Sequence, residues 1–478
     1  MTAASDTPRG LLRSGGAATL AQLVRILALQ ATHIVVRRIV PVDEYGLWNW
    51  AEVVFLVLAT VRDLGLPSHV VRLRPMPLGN LLAVQVGWGA ALAALMLVGA
   101  PIVAAANSTP LPMVESVLRA LALFLILEGL AVVPLVWFEA TLRIERSFAP
   151  EMLRTAVYCV VVLALAARGA GVWSFVGAQL AGQAIYAAEL WRRARRGGMP
   201  LHFERGATGR LVRESLPLGS IWLLALAVTY TDGFVVAALF SSATVAIYFF
   251  AYQYAYLVFR VLQQPIGRAL YPAFVAFADR PAEQVRAYRL GTVLFLAIEV
   301  PAALFLALNA EAATRILGGD QYLESIPLLQ LLAFAPLVDP LGRFGGEFLV
   351  ARRFDRARVL SLVLNLAALA IGGWFLARAW GPVGMAWANF LPIGTPVVAW
   401  ALWKSAGGGA LRRLARELVE AYLVPLLPFA LAAWAAGDDL VLRFALSLAA
   451  ALASLGWTWR RHAPEFRAFL EGGEIRPS

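Results

Sequence analysis

Five arginines lie inside long apolar stretches of this 478-residue chain: Arg25, Arg62, Arg119, Arg260 and Arg343. A charged residue at the centre of a bilayer costs about 2.5–3.5 kcal/mol on insertion scales, so it usually faces a cavity or a charged partner. A guanidinium group pairs bidentately with phosphate and keeps its charge in a low-dielectric site. We therefore expect these arginines to bind an anionic substrate in a cavity.

Each arginine also has an alternative role that involves no substrate. Three of them lie near predicted helix ends and could extend their charge to the membrane surface: Arg62, Arg119 and Arg260. Long basic side chains do this by laying their stems along apolar surface. Arg343 and Glu347 are one helical turn apart and could neutralise each other. Arg25 lies too deep in its span to reach the surface easily, which makes it the first candidate for a substrate contact.

The first predicted helix has one polar face, formed by Gln22, Arg25, Gln30, His33 and Arg37. At about 100° per residue, these side chains fall within roughly 140° of arc. Polar and ionisable groups on a membrane helix usually face water or a ligand and not lipid. His33 is therefore predicted to join the arginines as a substrate-binding residue.

Three carboxylates are candidates for binding a coupling ion. Asp232 lies well inside the seventh predicted helix, and no basic residue lies within one helical turn of it in the sequence. Glu299 lies beside Pro301, and Glu347 lies in the tenth predicted helix. Ionisable groups inside transmembrane segments often mark ion or proton pathways.

The composition places all these residues in a membrane protein. Hydrophobic residues make up 60% of the chain and charged residues 15%, and the mean hydropathy is +0.71. Soluble proteins carry roughly 45–50% apolar and about 25% charged residues, so an aqueous fold could not hide this much apolar surface. The net charge of +11 is spread over short loops, which indicates an anionic membrane surface and not nucleic acid. Cys159 is the only cysteine, which excludes an internal disulfide.

We predict an all-α polytopic membrane protein with about 14 transmembrane helices, because each crossing needs about 20 apolar residues. The predicted spans are residues 15–40, 46–66, 80–105, 116–141, 153–168, 171–191, 215–240, 243–265, 288–310, 326–350, 358–378, 382–403, 417–436 and 440–459. With the N-terminus inside, cytoplasmic segments carry about 30 of the 41 basic residues, as the positive-inside rule requires. Both termini are therefore predicted to be cytoplasmic, in a bacterial inner membrane.

A weak repeat divides the helices into two halves. Three short sequences recur in the same order: residues 45–48 and 245–248, residues 146–148 and 353–354, and residues 171–173 and 384–386. We therefore expect two parallel six-helix lobes with the substrate between them, a common transporter plan. The predicted segments are a cytoplasmic N-terminus (1–14), an N-lobe (15–191), a basic cytoplasmic linker (192–214), a C-lobe (215–403), two appended helices (404–459) and a cytoplasmic tail (460–478).

Several functions are not expected from this sequence. Lys404 is the only lysine and follows a tryptophan, so the chain has no Walker-type phosphate loop for ATP. The four histidines are scattered and do not match a zinc-protease spacing, so no metal or other cofactor is expected. The longest predicted outer link, about residues 311–325, is too short for an extracellular catalytic domain. We therefore expect a transporter and not a membrane glycosyl transferase or another enzyme.

Several motifs of the chain resemble those of Wzx-like oligosaccharide flippases. The motifs are Glu44-Tyr45-Gly46-Leu47-Trp48, Arg62-Asp63-Leu64-Gly65-Leu66 with Val71-Arg72, Gly169-Ala170-Gly171-Val172-Trp173-Ser174, Leu349-Val350-Ala351 with Arg353-Phe354, and Gly381-Pro382-Val383-Gly384-Met385-Ala386. The likeness is spread over about residues 15–400 and agrees with the chain length. Wzx-like proteins belong to the multidrug/oligosaccharidyl-lipid/polysaccharide exporter superfamily, which also contains MATE-type drug exporters and the lipid II flippase.

The resemblance implies a role in the biosynthesis of cell-surface polysaccharides such as lipopolysaccharide. Wzx-like members are taken to flip polyprenyl-diphosphate-linked oligosaccharide units to the periplasmic leaflet, by alternating access of two lobes. The implied partners are this lipid-linked substrate, membrane lipid, a proton or sodium ion, and other polysaccharide assembly proteins. The alternative is a MATE-like proton- or sodium-coupled antiporter of drugs or metabolites, for which the carboxylates matter and the cavity arginines do not.

Overall fold

The computed structural model describes residues 8–470 apart from residues 64, 72, 74, 75, 106–112, 142, 144 and 278. The outer ends of both predicted cytoplasmic termini, the motif residues Leu64 and Arg72, and the side chain of Gln22 therefore lie outside the described residues. The described ranges contain helices and connecting turns but no strand. The chain divides into two compact units, Met1–Ala246 and Ile247–Ser478, and the division falls within one helix.

The described part of the first unit contains eight helices and the start of a ninth. They are α1 (Pro8–Ile39), α2 (Val42–Asp63), α3 (Leu66–Val70), α4 (Leu78–Ala105), α5 (Val114–Ala140), α6 (Glu145–Ala167), α7 (Trp173–Arg196), α8 (Ala207–Leu239) and α9 (Ser242–Ala255). α5 packs against α4 and α7, α6 packs against α7 and α1, and α8 packs against α2. The core contains the fully buried Phe138, Leu190 and Leu81.

Two of the sequence motifs meet in this unit. The carboxylate of Glu44 on α2 accepts a hydrogen bond from the N–H of Val172, before α7, at 2.8 Å. Gly171 adopts a left-handed φ of +54°, and a Cβ atom there would overlap the Glu44 carboxylate. A Cβ atom at Gly46 would likewise overlap the backbone oxygen of Ser242. The motif glycines are therefore required by the close approach of α2 to the starts of α7 and α9.

The second unit continues from α9 with nine further α-helices in the described residues. They are α10 (Leu257–Ala276), α11 (Pro281–Leu308), α12 (Ala310–Leu317), α13 (Ile326–Leu332), α14 (Gly342–Ala351), α15 (Asp355–Ala367), α16 (Gly373–Ala388), α17 (Thr395–Ala436) and α18 (Leu440–Leu470). The core lies around α11 and contains the buried Phe274, Phe295, Phe344 and Phe348. A second, smaller apolar cluster joins α17 and α18 to the end of α11.

A buried ionic cluster also fastens α17 and α18 to α11. Arg289 on α11 pairs with both Glu417 on α17 and Glu465 on α18, and only 6% of the Arg289 side chain is exposed. Two further arginines surround the glutamates, because Arg413 lies 3.2 Å from Glu417 and Arg286 lies 3.4 Å from Glu465. Charged groups that are this buried are stable only with such partners.

Eight stretches of the described residues are long and apolar enough to cross a membrane, so the prediction of a polytopic all-α membrane protein is confirmed. They are Leu78–Ile102, Val114–Ala140, Glu145–Ala167, Pro281–Leu308, Asp320–Ala351, Asp355–Ala388, Thr395–Ala436 and Leu440–Glu465. In two of these stretches the chain turns at a glycine with positive φ, at Gly381 in one and at Gly407 in the other. Each of these two stretches contains residues of two predicted spans. The number of fourteen spans and the predicted lobe boundaries stay predictions.

Candidate functional site

Arg25 lies in a polar cluster of the first unit. Its Nη1 atom is 3.4 Å from Oε1 of Glu151 on α6, and 29% of its side chain is exposed. Arg154, one turn further along α6, places its guanidinium 5.5 Å from the ring centre of Tyr186 on α7. Arg25, Glu151 and Arg154 all act electrostatically on this tyrosine. These four residues, the Arg25 cluster, provide two partly exposed guanidinium groups that suit a phosphate.

Arg62, near the end of α2, is buried, with only 1% of its side chain exposed. Its Nη1 donates to Oε2 of Glu128 on α5 at 2.9 Å, and its Nη2 donates to Oδ1 of Asp63 at 2.7 Å. Nη1 also reaches the carbonyl oxygen of Leu125 at 3.5 Å. Arg154 of the Arg25 cluster also acts electrostatically on Glu128. In this arrangement Arg62 binds α2 to α5.

His33 on α1 is enclosed by aromatic rings. Its Nδ1 lies 2.6 Å from the hydroxyl of Tyr45 on α2, and its ring stacks on Phe175 of α7 with 6.3 Å between centroids. Tyr158 on α6 approaches from another side at 6.1 Å. One turn along α1, the buried Arg37 lies 5.0 Å from the ring centre of Tyr45. The polar face of α1 therefore has two different surroundings, partly exposed at Arg25 and enclosed at Arg37.

Two of the predicted arginines are exposed. Arg119 pairs at 2.6 Å with Glu115, one turn earlier on α5, and half of its side chain is accessible. Arg260 on α10 donates from Nη2 to the carbonyl oxygen of Gln253 at 2.6 Å and from Nε to that of Tyr256 at 3.3 Å. Tyr256 separates α9 from α10, so Arg260 satisfies carbonyl oxygens at a helix break.

Arg343 on α14 and Glu299 on α11 both lie in the second unit. Nε of Arg343 donates to the carbonyl oxygen of Pro336 at 3.0 Å, and its guanidinium lies 4.5 Å from the ring centre of Phe259 on α10. Glu299 on α11 is 2% exposed, and Arg343 acts on it electrostatically. Phe259 in turn contacts Phe295, one turn before Glu299 on α11, so the predicted substrate residue Arg343 and the predicted coupling residue Glu299 lie in neighbouring parts of this unit.

The other two candidate carboxylates have different neighbours. Glu347 on α14 has Arg358 on α15 as its basic neighbour, in place of the pairing with Arg343 that the helical spacing allows. Asp232 on α8 is 5% exposed, and its Oδ1 accepts a hydrogen bond from the N–H of Gly233 at 2.7 Å. Asp232 belongs to the first unit and Glu347 to the second, so they are separate candidates.

Sequence reasoning missed Arg154 and Arg289. Arg154 lies at the predicted start of a span, where a basic residue needs no special explanation, although its spacing from Glu151 is that of a helical ion pair. The two glutamates that pair with Arg289 lie far from it in the sequence, so local spacing gives no signal of these ion pairs. Among the residues that the structure describes, no group of His, Cys, Asp and Glu side chains could hold a metal ion.

This arrangement of helices is similar to that of several solved membrane transporters and flippases. The lipid II flippase MurJ in an inward closed conformation matches it with a TM-score of 0.76, over 92% of this chain and 99% of that chain, at 10% identity. An inward-facing MATE family multidrug resistance transporter matches with a TM-score of 0.64, over 84% and 98% of the two chains, at 12% identity. A MOP superfamily transporter from Pyrococcus furiosus matches with a TM-score of 0.56, over 84% and 94%, at 14% identity.

The chain belongs to the family described as polysaccharide biosynthesis protein, whose profile matches residues 35–327. No curated protein sequence matches the chain. The family match and the shared fold confirm the resemblance that the motifs indicate.

Proposed function

We propose that this protein is a secondary transporter that flips polyprenyl-diphosphate-linked oligosaccharide units across the bacterial inner membrane by alternating access. The observation that carries the proposal is the fold shared with the lipid II flippase over 92% of the chain. The family match supports a place in polysaccharide biosynthesis. The polyprenyl tail stays in lipid during the movement, while the polar glycan and the diphosphate pass through the protein.

The Arg25 cluster is the proposed binding site for the diphosphate. Arg25 is partly exposed and lies 3.4 Å from Glu151, and a phosphate oxygen can take the place of that carboxylate. Arg154 is the second guanidinium of the site, because it faces the same tyrosine. Two fixed guanidinium groups match the charge and planar geometry of phosphate oxygens. Arg62 lies outside this proposed site and joins α2 to α5 through Glu128.

The remaining predicted residues have secondary roles in this proposal. His33, Arg119, Arg260 and Arg343 are further candidates for contacts with the glycan or the diphosphate. Asp232, Glu299 and Glu347 are the candidates for coupling flipping to a proton or sodium gradient. Buried carboxylates of membrane proteins often serve this purpose.

A MATE-like antiporter is the second candidate, and one observation favours it beyond the fold. In the ion pair of Arg62, the acidic partners are the exposed ones: 45% of the Asp63 side chain and 30% of the Glu128 side chain are accessible. An accessible carboxylate suits a cationic drug, whereas an accessible guanidinium suits a phosphate. The two candidates therefore differ in the sign of the ligand's charge.

Ligand-induced thermal stabilisation of the detergent-purified protein separates the two functions. Undecaprenyl diphosphate is compared with undecaprenol and with a panel of cationic drugs, for the wild type and for Arg25→Ala. We expect stabilisation by the diphosphate alone. Losing a hydrogen bond to a charged group costs about 1.5–3 kcal/mol, so the apparent affinity should fall at least about tenfold in Arg25→Ala.

The matched control is Arg315→Ala, which removes an arginine that is exposed and paired with Glu311 on the same helix. We expect this variant to bind the diphosphate like the wild type. Stabilisation by cationic drugs, with the diphosphate inert and Arg25→Ala unchanged, would contradict the flippase and favour the antiporter.

A further inference from the structure

The tenth predicted span, residues 326–350, is interrupted in the middle. Between α13 and α14 the chain forms only a short 3-10 turn, Ala335–Leu337. Pro336 and Pro340 lie in this interruption and have no N–H group to continue a helix. An interrupted helix inside a membrane leaves carbonyl oxygens that need other donors. In transporters, such interruptions often form the binding sites for substrates and ions.

Arg343 and two tyrosines supply donors to this interruption. Nε of Arg343 donates to the carbonyl oxygen of Pro336 at 3.0 Å. The hydroxyls of Tyr288 on α11 and Tyr422 on α17 donate to two further carbonyl oxygens of the same stretch. The Arg343 guanidinium also lies over the ring of Phe259. All these partners of Arg343 are uncharged, so its positive charge is not neutralised by a hydrogen-bonded carboxylate.

Phe259, over which the Arg343 guanidinium lies, contacts Phe295 one turn before Glu299 on α11, and Glu299 does not pair with Arg343. Its side chain is buried, and no donor in the described part of the chain reaches its Oε2 atom. Arg343 acts on it electrostatically, but the two groups do not form an ion pair. Pro301 follows closely and removes one N–H group from the helix. A buried carboxylate without donors is costly to keep, which suits a group that binds a proton.

We propose that Glu299 and Arg343 form a proton-binding switch at the interruption, which deepens the proposed function and rests on it. With a proton on Glu299, Arg343 remains on the carbonyl oxygens, as in this structure. When Glu299 releases the proton, its carboxylate attracts the guanidinium away from the carbonyl oxygen of Pro336. The interruption then loses a donor, and α13 and α14 change their packing. One proton thus selects between two arrangements of this span.

The surroundings of Glu299 favour a proton over a sodium ion. A sodium ion needs several oxygen ligands and would lie next to Arg343, whose charge repels it. Asp339, the carboxylate of the interruption itself, already accepts hydrogen bonds from the N–H of Gly342 at 2.7 Å and the hydroxyl of Thr395 at 2.6 Å. A proton needs only one oxygen atom, and Oε2 of Glu299 provides it.

Other titratable and charged groups lie on α11 and on the helices packed around it. They are Tyr288 on α11, Arg343, Asp339 and Glu347 at or near α14, Arg358 on α15, Tyr422 on α17, His462 on α18, and the ionic cluster of Arg286, Arg289, Glu417 and Glu465, whose members pair with one another. Both tyrosines and Asp339 are engaged in hydrogen bonds, and Glu347 faces Arg358. His462 lines a separate apolar cleft of about 400 Å³ between α11 and α18. Glu299, and not Asp339 or Glu347, is therefore the carboxyl group available to bind a proton.

Infrared difference spectroscopy tests the switch. The protein is reconstituted in phospholipid vesicles that contain no glycan lipid, and spectra are recorded at stepped pH in sodium-free buffer. We expect the carbonyl-stretch band of a protonated carboxylic acid in the wild type and its loss in Glu299→Gln. In Arg343→Met the band should persist to higher pH, because the neighbouring positive charge is gone. Glu311→Gln is the matched control, because Glu311 is exposed and paired with Arg315.

Three outcomes are informative beyond the expected one. A band that survives in Glu299→Gln would overturn the switch, as would a wild-type band that disappears when sodium is added at constant pH. Glu299→Asp, which keeps a carboxyl group, should retain a band and guards against loss of the fold as the explanation. If the band behaves as expected but vesicles fail to flip a diphosphate-linked glycan, the proposed cargo is wrong and the proton switch is supported.

Discussion

Replacing Arg62 by methionine should lower the stability of the protein without weakening its binding of a diphosphate. The side chain is 1% exposed, and its Nη1 and Nη2 atoms donate to Glu128 and Asp63. Neither of these two donors is therefore directed at a ligand. Methionine keeps much of the apolar stem but leaves both carboxylates without the guanidinium. This prediction distinguishes the structural role of Arg62 from the substrate-binding role proposed for Arg25, although in the sequence both are arginines within apolar spans.

The size of the effect follows from how buried the partners are. Removing one member of a fully buried ion pair costs about 3–5 kcal/mol, because a charge is left without compensation. Here the carboxylates that remain are 45% exposed at Asp63 and 30% exposed at Glu128, so water partly solvates them. We therefore expect a loss of about 2–3 kcal/mol. Arg62→Met combined with Glu128→Gln should recover at least half of this loss, because the less exposed charge is then absent.

Two assays check the prediction on the same purified variants. Equilibrium unfolding in mixed detergent micelles gives the loss of stability and the coupling between the two substitutions. Thermal stabilisation by undecaprenyl diphosphate gives the binding. An Arg62→Met variant as stable as the wild type but no longer stabilised by the diphosphate would refute the argument, because Arg62 would then contact the substrate and not α5.

Three further substitutions test how the helices are held. Gly171→Ala should cost about 2 kcal/mol of stability, because alanine is strained at this left-handed φ and its Cβ displaces the Glu44 carboxylate. Arg289→Met should cost about 3 kcal/mol, since it leaves two glutamates between α11, α17 and α18, and the melting temperature should fall accordingly. Asn80→Ala removes the hydrogen bonds, both to and from Glu204, that hold the basic linker to α4, so trypsin should cleave that linker faster.

Matched variants identify the cause in each case. Gly169 also has a positive φ but open space around its Cβ position, so Gly169→Ala should cost less than Gly171→Ala. Equal losses would show that the Glu44 contact contributes nothing. Arg461→Met removes an arginine that is half exposed and paired with Glu420, and its cost should stay below about 1 kcal/mol. A linker equally resistant to trypsin in Asn80→Ala would contradict the role given to that side chain.

The sequence by itself determined the class of protein. Hydropathy and the distribution of arginines are properties of whole stretches of sequence, so membrane crossings can be predicted from them without knowing how the helices pack. The motifs identified the family because their glycines are required by local backbone conformation and close approach, as Gly171 shows with its positive φ. The sequence also singled out Arg25, because the depth of a residue within a predicted span can be counted along the chain.

Only the tertiary structure decided which partner each buried charge has. Arg62 and Glu128 lie on different helices, and nothing in the local spacing indicates that they meet at 2.9 Å. The helical spacing suggests that Arg343 pairs with Glu347, but the interruption before α14 offers carbonyl oxygens to Arg343 instead. Helical periodicity fixes the direction of a side chain around its own axis. The neighbour that a side chain meets depends on how separate helices pack, and that is set by contacts between residues far apart in the chain.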